Sequence, residues 1–283
     1  MARVTTGLFF HTAMALLPPR NLIEELIERG DIPQSNRPYI GHSSLGGSCH
    51  RHIWLNFRWA YERAVPKRIQ RIFERGHWAE ERIVNDMIAS GLNVYGRQDE
   101  LSDDTGHIKG HTDGIVTGIP GDEETPHLLE IKTMNDKRFK QYLKDGLKLT
   151  NPKYWVQIHL YMGSLNLQKC LFVVENKDNE HRDYKMYDFD PKVYTQYQKV
   201  GFDILTYNDM PVKIGSSVWH ECKMCDAFNY CHKQQLTARN CRTCSFANIE
   251  MEGKWSCDKH NCDLPIEVQR VGCEDYEKSE VYK

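Results

Sequence analysis

The pattern of hydrophobic and polar positions along the chain predicts a mixture of helices and strands. Helical spacing is found in residues 20–30 (with Gly30 as a glycine cap), 48–63, 66–75, 76–91, 136–147, 152–165 and 191–208. Extended, β-like runs are found in residues 93–101, 108–118, 128–134, 170–177 and 181–190. This order predicts an α/β fold in which a mixed sheet is flanked by helices.

The composition indicates a globular protein and limits the kind of partner. Hydrophobic residues make up 40% and charged residues 27% of the 283 residues, which excludes a mainly disordered chain. The formal net charge is −2, so the chain as a whole is not a polycation. Any nucleic-acid surface must therefore be a local patch.

No stretch of the sequence predicts a membrane span or a secretory signal. The most apolar N-terminal stretch, residues 7–20, is interrupted by His11 and Thr12. We therefore expect a cytoplasmic protein, in a bacterium or a phage-infected host cell. There, ten cysteines, eight of them after residue 220, indicate metal or redox chemistry where they are spaced C-x-x-C.

Three charged residues stand in otherwise apolar, β-like runs. Asp113 lies in one run, and Glu130 and Lys132 share a face of the next, so pairing of the runs would bring the charges together. Burying two converging carboxylates is costly unless a divalent cation binds, and oxygen ligands suit Mg²⁺ or Mn²⁺. Such a site suits phosphodiester hydrolysis. The alternative is a salt-bridged pair on an exposed sheet face, with Asp113 in a turn.

The surroundings of these residues resemble a known family. The chain reads GH at 76–77, GHTDG at 110–114, EIK at 130–132 and QIHLY at 157–161. In order and spacing, across residues 66–170, these motifs resemble the PD-(D/E)XK nuclease superfamily and its RecB-like branch. The resemblance implies a restriction-endonuclease-like core. The aspartate here follows GHT where the family pattern has proline.

The resemblance also implies roles for individual residues. The metal ligands would be His77, Asp113, Glu130 and the carbonyl of Ile131. The catalytic lysine would be Lys132, and Gln157 and Tyr161 would place Lys132 and the DNA. His111 and Glu80 are further candidates for the surroundings of the metal.

The cysteines extend the resemblance to RecB-like nucleases with an iron–sulfur cluster, such as CRISPR-adaptation and phage exonucleases. The implied ligands of a 4Fe–4S cluster are Cys49, Cys222, Cys225 and Cys231. A rival assignment is a zinc ribbon, because the pairs Cys222/Cys225 and Cys241/Cys244 are separated by fifteen residues. We prefer the cluster, because the ribbon leaves Cys49 and Cys231 without partners.

The remaining cysteines predict a second metal site in the tail of the chain. Its zinc ligands would be Cys241, Cys244, Cys257 and either Cys262 or Cys273, with Cys273 preferred and His260 available. The chain then divides into an N-terminal helical segment with Cys49 (1–65), the nuclease core (66–210), a cysteine segment (211–235) and a cysteine-rich module (236–283). Cys170, in an apolar run, is interpreted as a buried small hydrophobe.

Local basic patches supply a surface for DNA. Residues 132–148 carry six Lys or Arg against two Asp, and they include Lys137, Arg138 and Lys140. Arg68, Arg71 and Arg75 recur on one helical face and could form a second wall. The alternative for both is a solvated surface. For Trp54, Trp59 and Trp155, core packing is favoured over stacking on bases.

The sequence as a whole predicts a divalent-metal-dependent DNA nuclease with an iron–sulfur cluster and a zinc module. We expect an exonuclease that acts on DNA ends or single strands in recombination, repair or phage DNA metabolism, with a helicase or recombination protein as a possible partner. Two alternatives stay open. One is a nucleic-acid-binding protein with an inactive core, and the other is a site-specific endonuclease.

Overall fold

The computed structural model describes residues 19–28, 32–33 and 36–282, and Gly30 lies outside them. The helices are α1 (Pro19–Glu28), α2 (His42–Leu45), α3 (His50–Phe57), α4 (Lys67–Ala89), α5 (Asp136–Asp145), α6 (Leu147–Thr150), α7 (Pro152–Ser164), α8 (Pro191–Thr206), α9 (His220–Lys223), α10 (Phe228–His232) and α11 (Ile266–Val271). The strands are β1 (Ile32–Pro33), β2 (Ile40–Gly41), β3 (Ala64–Val65), β4 (Asn93–Tyr95), β5 (Glu100–Ser102), β6 (Ile108–His111), β7 (Gly114–Thr117), β8 (His127–Met134), β9 (Lys169–Asn176), β10 (Arg182–Asp188), β11 (Ala247–Ile249), β12 (Trp255–Cys257) and β13 (Cys262–Asp263).

A five-stranded mixed sheet forms the centre of the fold, in the order β10-β9-β8-β7-β4. Strands β8 and β9 are parallel, and the other neighbours are antiparallel. The parallel pair is joined by α5, α6 and α7, which provide the long crossover that parallel strands require. The carboxyl ends of β8 and β9 therefore lie at the same edge of the sheet.

Both faces of this sheet are covered by helices. On one face, Ile83 and Val84 of α4 pack against Leu129 and Ile131 of β8. On the other face, residues of α5 and α7 pack against Leu128 and other side chains of β8 and β9. Because successive residues of β8 point to opposite faces, Glu130 and Lys132 lie on the α7 side.

Two extended runs were predicted incorrectly as single strands. Residues 93–101 form β4 and β5, and residues 108–118 form β6 and β7, which belong to two different sheets. The first break has a local cause, because Gly96 and Gln98 both adopt left-handed backbone conformations, with φ of 60° and 58°. Residues 66–75 and 76–91, predicted as two helices, form the single helix α4, because flanking helix formers tolerate Gly76.

A third hydrophobic cluster joins distant parts of the chain. Trp54 and Phe57 of α3 pack with Ile204 of α8 and with Trp255 and Tyr282 of the cysteine-rich segment. That segment carries its own small sheet, β11-β12-β13, while a further sheet has the order β2-β6-β5. The predicted α/β class, with a mixed sheet flanked by helices and a small cysteine-rich C-terminal module, is confirmed. Among the described helices, none has both the length and the apolar character needed to cross a membrane.

Candidate active site

The candidate site lies where strand β7 separates from β8. The last register pair between them joins Gly114 to Leu129, so β8 continues without β7 beyond that point. Asp113 lies immediately before β7, and its Oδ2 accepts a hydrogen bond from the backbone N–H of Ile131 at 2.7 Å. Gly114 has φ 153°, a conformation that favours glycine. The glycine thus lets the chain turn so that the Asp113 carboxylate reaches the free edge of β8.

Three charged side chains meet at this edge. Glu130 is fully buried and forms an ion pair with Lys132, whose Nζ also lies 3.8 Å from Oδ2 of Asp113. The Lys132 Nζ donates a further hydrogen bond to the backbone oxygen of Ile131 at 3.1 Å. These contacts bring together Asp113, Glu130, Ile131 and Lys132, and they do not match the alternative of an exposed Glu130–Lys132 pair.

Burial and mutual charge determine the electrostatics of this group. Burial, and next the charge of Asp113, raise the pKa of Glu130 above its ordinary value. Burial by itself lowers the pKa of Lys132, but the carboxylates of Glu130 and Asp113 outweigh that effect and hold it above its ordinary value. Lys132 is therefore a cation held between two carboxyl groups.

Helix α7 supports Glu130 from the opposite side. The Nε2 group of Gln157 lies 2.8 Å from Glu130 Oε1 and 3.2 Å from the Tyr161 hydroxyl. The β6 backbone passes so close to Tyr161 that a Cβ on Gly110 would lie 2.5 Å from Cε1 of its ring. Tyr154, which the sequence analysis did not select, places its ring 5.4 Å from the Lys132 Nζ. Tyr154 lies three residues before Gln157 on α7, and this helical spacing is the sequence feature from which it could have been found.

Helix α4 presents Glu80 to the charged group. Glu80 is partly buried, and burial together with the charge of Asp113 raises its pKa. Its Oε1 accepts a hydrogen bond from Gln98 at 3.0 Å. The His77 side chain is exposed and has no hydrogen bond or ion pair with any residue of the described ranges. His111 is likewise exposed, on the side of Glu100. The assignment of His77 as a metal ligand stays a prediction.

The donor set fits a hard divalent cation. Two carboxylates and a backbone carbonyl offer only oxygen, the donor that Mg²⁺ and Mn²⁺ prefer. Glu130 Oε2 is buried and has no hydrogen-bonding partner among the described residues, so one carboxylate oxygen is free to bind a ligand. The Lys132 ammonium group lies between the carboxylates of Asp113 and Glu130. These carboxylates therefore do not converge on one point in this structure.

One compact group of potential metal ligands lies elsewhere in the described part of the chain. Ligand atoms of His52, Cys225 and Asp226 lie within 4.8 Å of one another. Asp226 also accepts a hydrogen bond from Tyr61 at 2.9 Å and forms an ion pair with Arg63 at 2.7 Å. Its carboxylate is thus already satisfied by three protein donors, including His52, and we interpret it as a support for the Cys225 segment.

The four cysteines assigned to the iron–sulfur cluster surround one cavity of about 30 Å³. They are Cys49 before α3, Cys222 in α9, Cys225 after α9, and Cys231 in α10. All are free thiols. Burial, and to a smaller extent the charges of the other three cysteines, raise the pKa of Cys49, as expected for neighbouring thiols. Four thiols around one cavity form a donor set that fits an iron–sulfur cluster.

The remaining tail cysteines line a second cavity, of about 90 Å³. They are Cys241, Cys244, Cys257, Cys262 and Cys273, with His260 beside them. The Cys273 sulfur lies 3.7 Å from Nε2 of His260. Cys222 and Cys225 line the first cavity and Cys241 and Cys244 the second, so the zinc-ribbon grouping is split between two places. Cys170 is fully buried in β9.

The basic residues lie partly beside the charged group. Lys137, Arg138 and Lys140 are exposed on α5, which follows β8 directly, and Lys140 forms an ion pair with Asp136 at 2.7 Å. Arg75 donates a hydrogen bond to the backbone oxygen of Lys177, just after β9. The α5 residues and Arg75 thus lie at the edge of the sheet formed by the carboxyl ends of β8 and β9, near Lys132. Arg68 and Arg71 lie further along α4, with Arg71 paired to Glu28 of α1 at 2.6 Å.

Trp54 and Trp59 are buried in the core, and Trp155 packs on His159 and Tyr187.

Comparison with solved structures finds folds that are similar at low sequence identity. The crystal structure of LHK-Exo in complex with dAMP is 17% identical, with a TM-score of 0.46, over 59% of this chain and 86% of that one. The crystal structure of the alkaline exonuclease LHK-Exo from Laribacter hongkongensis is also 17% identical, with a TM-score of 0.46, over 60% of this chain and 87% of that chain. The crystal structure of SSO0001 is 16% identical, with a TM-score of 0.41, over 74% of this chain and 91% of that chain. No protein-family model and no curated protein matches this chain.

Proposed function

We propose that this protein is a divalent-metal-dependent deoxyribonuclease that hydrolyses phosphodiester bonds and trims DNA from its ends. The observation that carries the proposal is the environment of Glu130. Its carboxyl group is fully buried, Oε1 is held by Gln157 and Lys132, and Oε2 has no partner among the described residues. A protein that gained nothing from this buried ion pair would lose little or no stability if well-packed apolar residues replaced both Glu130 and Lys132.

The metal would be held by Asp113, Glu130 and the carbonyl of Ile131. A bound Mg²⁺ or Mn²⁺ lowers the pKa of a water and polarises a phosphoryl oxygen. Glu80 adds a further carboxylate close to Asp113. His77, which is exposed on the same helix as Glu80, would complete the set.

The chain's own residues orient the reactants. Lys132, a cation at the edge of β8, would donate a hydrogen bond to the attacking water and offset negative charge that develops on the phosphate. Gln157 holds the Glu130 carboxylate in place through its hydrogen bond of 2.8 Å. The ring of Tyr154 lies against the Lys132 ammonium group and restricts its position.

The basic groups at the same edge would guide the DNA backbone. Lys137 and Arg138 are exposed on α5, and Arg75 donates a hydrogen bond to the backbone oxygen of Lys177, just after β9. Contacts of this kind bind phosphates without reading the sequence. An iron–sulfur cluster held by Cys49 and the segment of residues 222–231 would fasten α3 to the chain after the core, and a zinc ion would hold the tail. Both would be structural.

The test uses end-labelled single-stranded and double-stranded DNA with Mg²⁺ or Mn²⁺. We expect progressive shortening by the wild type and none by Lys132→Ala or Glu130→Ala, because each removes a group at the site. Lys185→Ala is the matched control, since Lys185 is exposed on the edge strand β10. The end that carries the label determines the polarity, and closed circular DNA tests for an endonuclease.

A second readout is independent of turnover. Mn²⁺ should raise the melting temperature of the wild type, because a ligand that binds only the folded state stabilises it, and it should not raise that of Glu130→Ala. DNA binding without cleavage in either metal, with both cysteine sites loaded, would instead identify a binding protein with an inactive core.

A further inference from the structure

One turn of the cysteine-rich segment is hydrogen-bonded to the core. Strands β11 and β12 form a hairpin, and residues 250–254 form the turn between them. The backbone N–H of Gly253 donates to the backbone oxygen of Thr105 at 2.8 Å. Nε2 of His107 lies 2.7 Å from the backbone oxygen of Glu250, which can only accept, so this nitrogen is the donor. The turn therefore holds residues 105–107 at two points.

The two turns approach each other so closely that both have glycine at the contact. Gly106 and Gly253 both adopt a left-handed backbone conformation, with φ of 73°. A Cβ on Gly106 would lie 2.4 Å from the backbone nitrogen of Gly253, and a Cβ on Gly253 would lie 2.8 Å from the backbone oxygen of Gly106. A side chain at either position would therefore force the two turns apart.

The core turn leads directly to the aspartate of the candidate active site. Residues 103–107 connect β5 to β6, and Asp113 follows β6. Gly106 lies seven residues before Asp113, a distance of about 23 Å along extended chain at ~3.3 Å per residue. Two hydrogen bonds close the turn, from the N–H of Asp103 to the backbone oxygen of Ile108 and from the N–H of Ile108 to Asp103 Oδ1, both at 3.0 Å. A displacement of this turn is therefore passed on to β6.

Between this turn and Asp113, strand β6 has few neighbours in its sheet. It forms two register pairs with β2 and three with β5. Gly110, within β6, faces Tyr161 so closely that a Cβ would lie 2.5 Å from its ring. The strand therefore cannot move towards α7 without displacing Tyr161. The contact at Gly106 fixes the other end of β6, away from Asp113.

From these contacts we propose that the cysteine-rich segment positions Asp113. The turn of residues 250–254 holds the turn between β5 and β6, and β6 passes that position on to the carboxylate. Gly106 and His107 are positioning residues, because they act through β6. Strand β12 ends at Cys257, so a metal held by this cysteine would fix the far end of the hairpin. The consequence for catalysis rests on the proposed function.

The test compares Gly106→Ala with Gly121→Ala in the full chain with both cysteine sites loaded. Gly121 also has a left-handed conformation, with φ of 84°. A Cβ on Gly121 would meet no atom within 4 Å in the described chain beyond its own neighbours. Both variants therefore carry the same kind of backbone strain, and only Gly106→Ala pushes against the cysteine-rich segment.

The first readout is amide hydrogen exchange at Ile131, whose N–H donates to Asp113 Oδ2 at 2.7 Å. Relative to the other amides of β8, we expect about tenfold faster exchange in Gly106→Ala, as for loss of a hydrogen bond to a charged group. Asp113→Ala should show the same acceleration, and Gly121→Ala should not. This measurement needs neither Mn²⁺ nor DNA, so it tests the positioning even if the wild type does not cleave DNA. Unchanged exchange at Ile131 in folded Gly106→Ala would overturn the proposal.

The second readout is the Mn²⁺ concentration for half-maximal DNA cleavage. We expect it to rise about tenfold in Gly106→Ala and to stay within about twofold in Gly121→Ala, while the rate at saturating Mn²⁺ changes less. A loss of stability alone would reduce the amount of folded protein and leave the Mn²⁺ requirement as it is. The same Mn²⁺ requirement in both variants would also overturn the proposal.

A second variant serves if Gly106→Ala fails to fold. His107→Phe keeps a ring that can pack on Phe57 and Trp255, and it removes the donor to the backbone oxygen of Glu250. It should show the same two changes to a smaller extent. Wild-type values for both readouts in folded His107→Phe would then overturn the proposal.

Discussion

Gln157 donates a hydrogen bond from Nε2 to Oε1 of Glu130 at 2.8 Å, and so joins helix α7 to strand β8 inside the core. Both residues are buried, so water does not compete for this contact. The amide of Gln157 carries no charge and leaves the charge of Glu130 available to a metal. The position of the carboxylate proposed to bind a cation is thus fixed by a residue that would not touch the cation.

Replacing Gln157 by alanine should reduce nuclease activity about 10-fold to 100-fold, the usual effect of removing a residue that orients a metal ligand. The reduction should appear mainly as a higher Mn²⁺ concentration for half-maximal rate. Gln198→Ala is a matched control, because Gln198 also donates to a tyrosine hydroxyl four residues away, on the exposed face of α8. Equal loss in both variants, or an unchanged Mn²⁺ requirement, would contradict the role given to Gln157.

The two cysteine cavities share no thiol, so their metals should be lost independently. Cys231→Ser should lower the iron content and the visible absorbance of anaerobically purified protein, and leave zinc unchanged. Cys257→Ser should lower zinc and leave iron unchanged. Metal analysis of both variants checks this. A loss of zinc on replacement of Cys222, with iron absent from the wild type, would favour the zinc ribbon that spans both segments.

Residues of the basic helix α5 should differ in their contribution to DNA binding. Arg138 is exposed without a carboxylate partner in the described chain, so Arg138→Gln should reduce the slope of log K against log salt by about 0.7–0.9. Lys140→Gln should reduce it less, because Lys140 is paired with Asp136. The measurement uses fluorescence anisotropy in a Glu130→Gln background, which prevents cleavage. Identical slopes in all three proteins would exclude α5 from the binding surface.

His159 should make the stability of the fold depend on pH. It is fully buried, and the backbone N–H of Asp190 donates to its Nδ1 at 3.2 Å, so protonation breaks that hydrogen bond. Burial lowers its pKa from 6.5 to about 4. The unfolded state therefore binds the proton first, and stability is lost as pH falls from about 6.5 towards 4.

The expected loss is about 1–2 kcal/mol of the free energy of unfolding between pH 6.5 and pH 5. It should be smaller in His159→Gln than in the wild type or in His181→Gln, a control at an exposed histidine. Chemical denaturation at several pH values measures the difference. The same pH slope in all three proteins would show that His159 does not contribute.

Features carried by short local motifs were predictable from the sequence. The alternation of strand faces brought Glu130 and Lys132 to one side of β8, and the spacing of four residues placed Gln157 and Tyr161 on one face of α7. Other features depend on geometry that residue type does not determine. The left-handed conformation of Gln98 separates β4 from β5, although glutamine rarely adopts it. His77 and Glu80 lie three residues apart on one face of α4, so helical periodicity does not determine that Glu80 is the more buried of the two.

The contacts of Arg242 have a consequence for synthesis of the chain. Its guanidinium group holds the backbone oxygen of Phe57, 185 residues earlier in the sequence. At about 5–20 residues per second, a ribosome needs roughly 10–40 s to add that length of chain. During that time Trp54 and Phe57 have emerged but their partners Trp255 and Tyr282 do not yet exist. Nascent chains therefore present an uncovered aromatic surface that invites chaperone binding or aggregation until the cysteine-rich segment is complete.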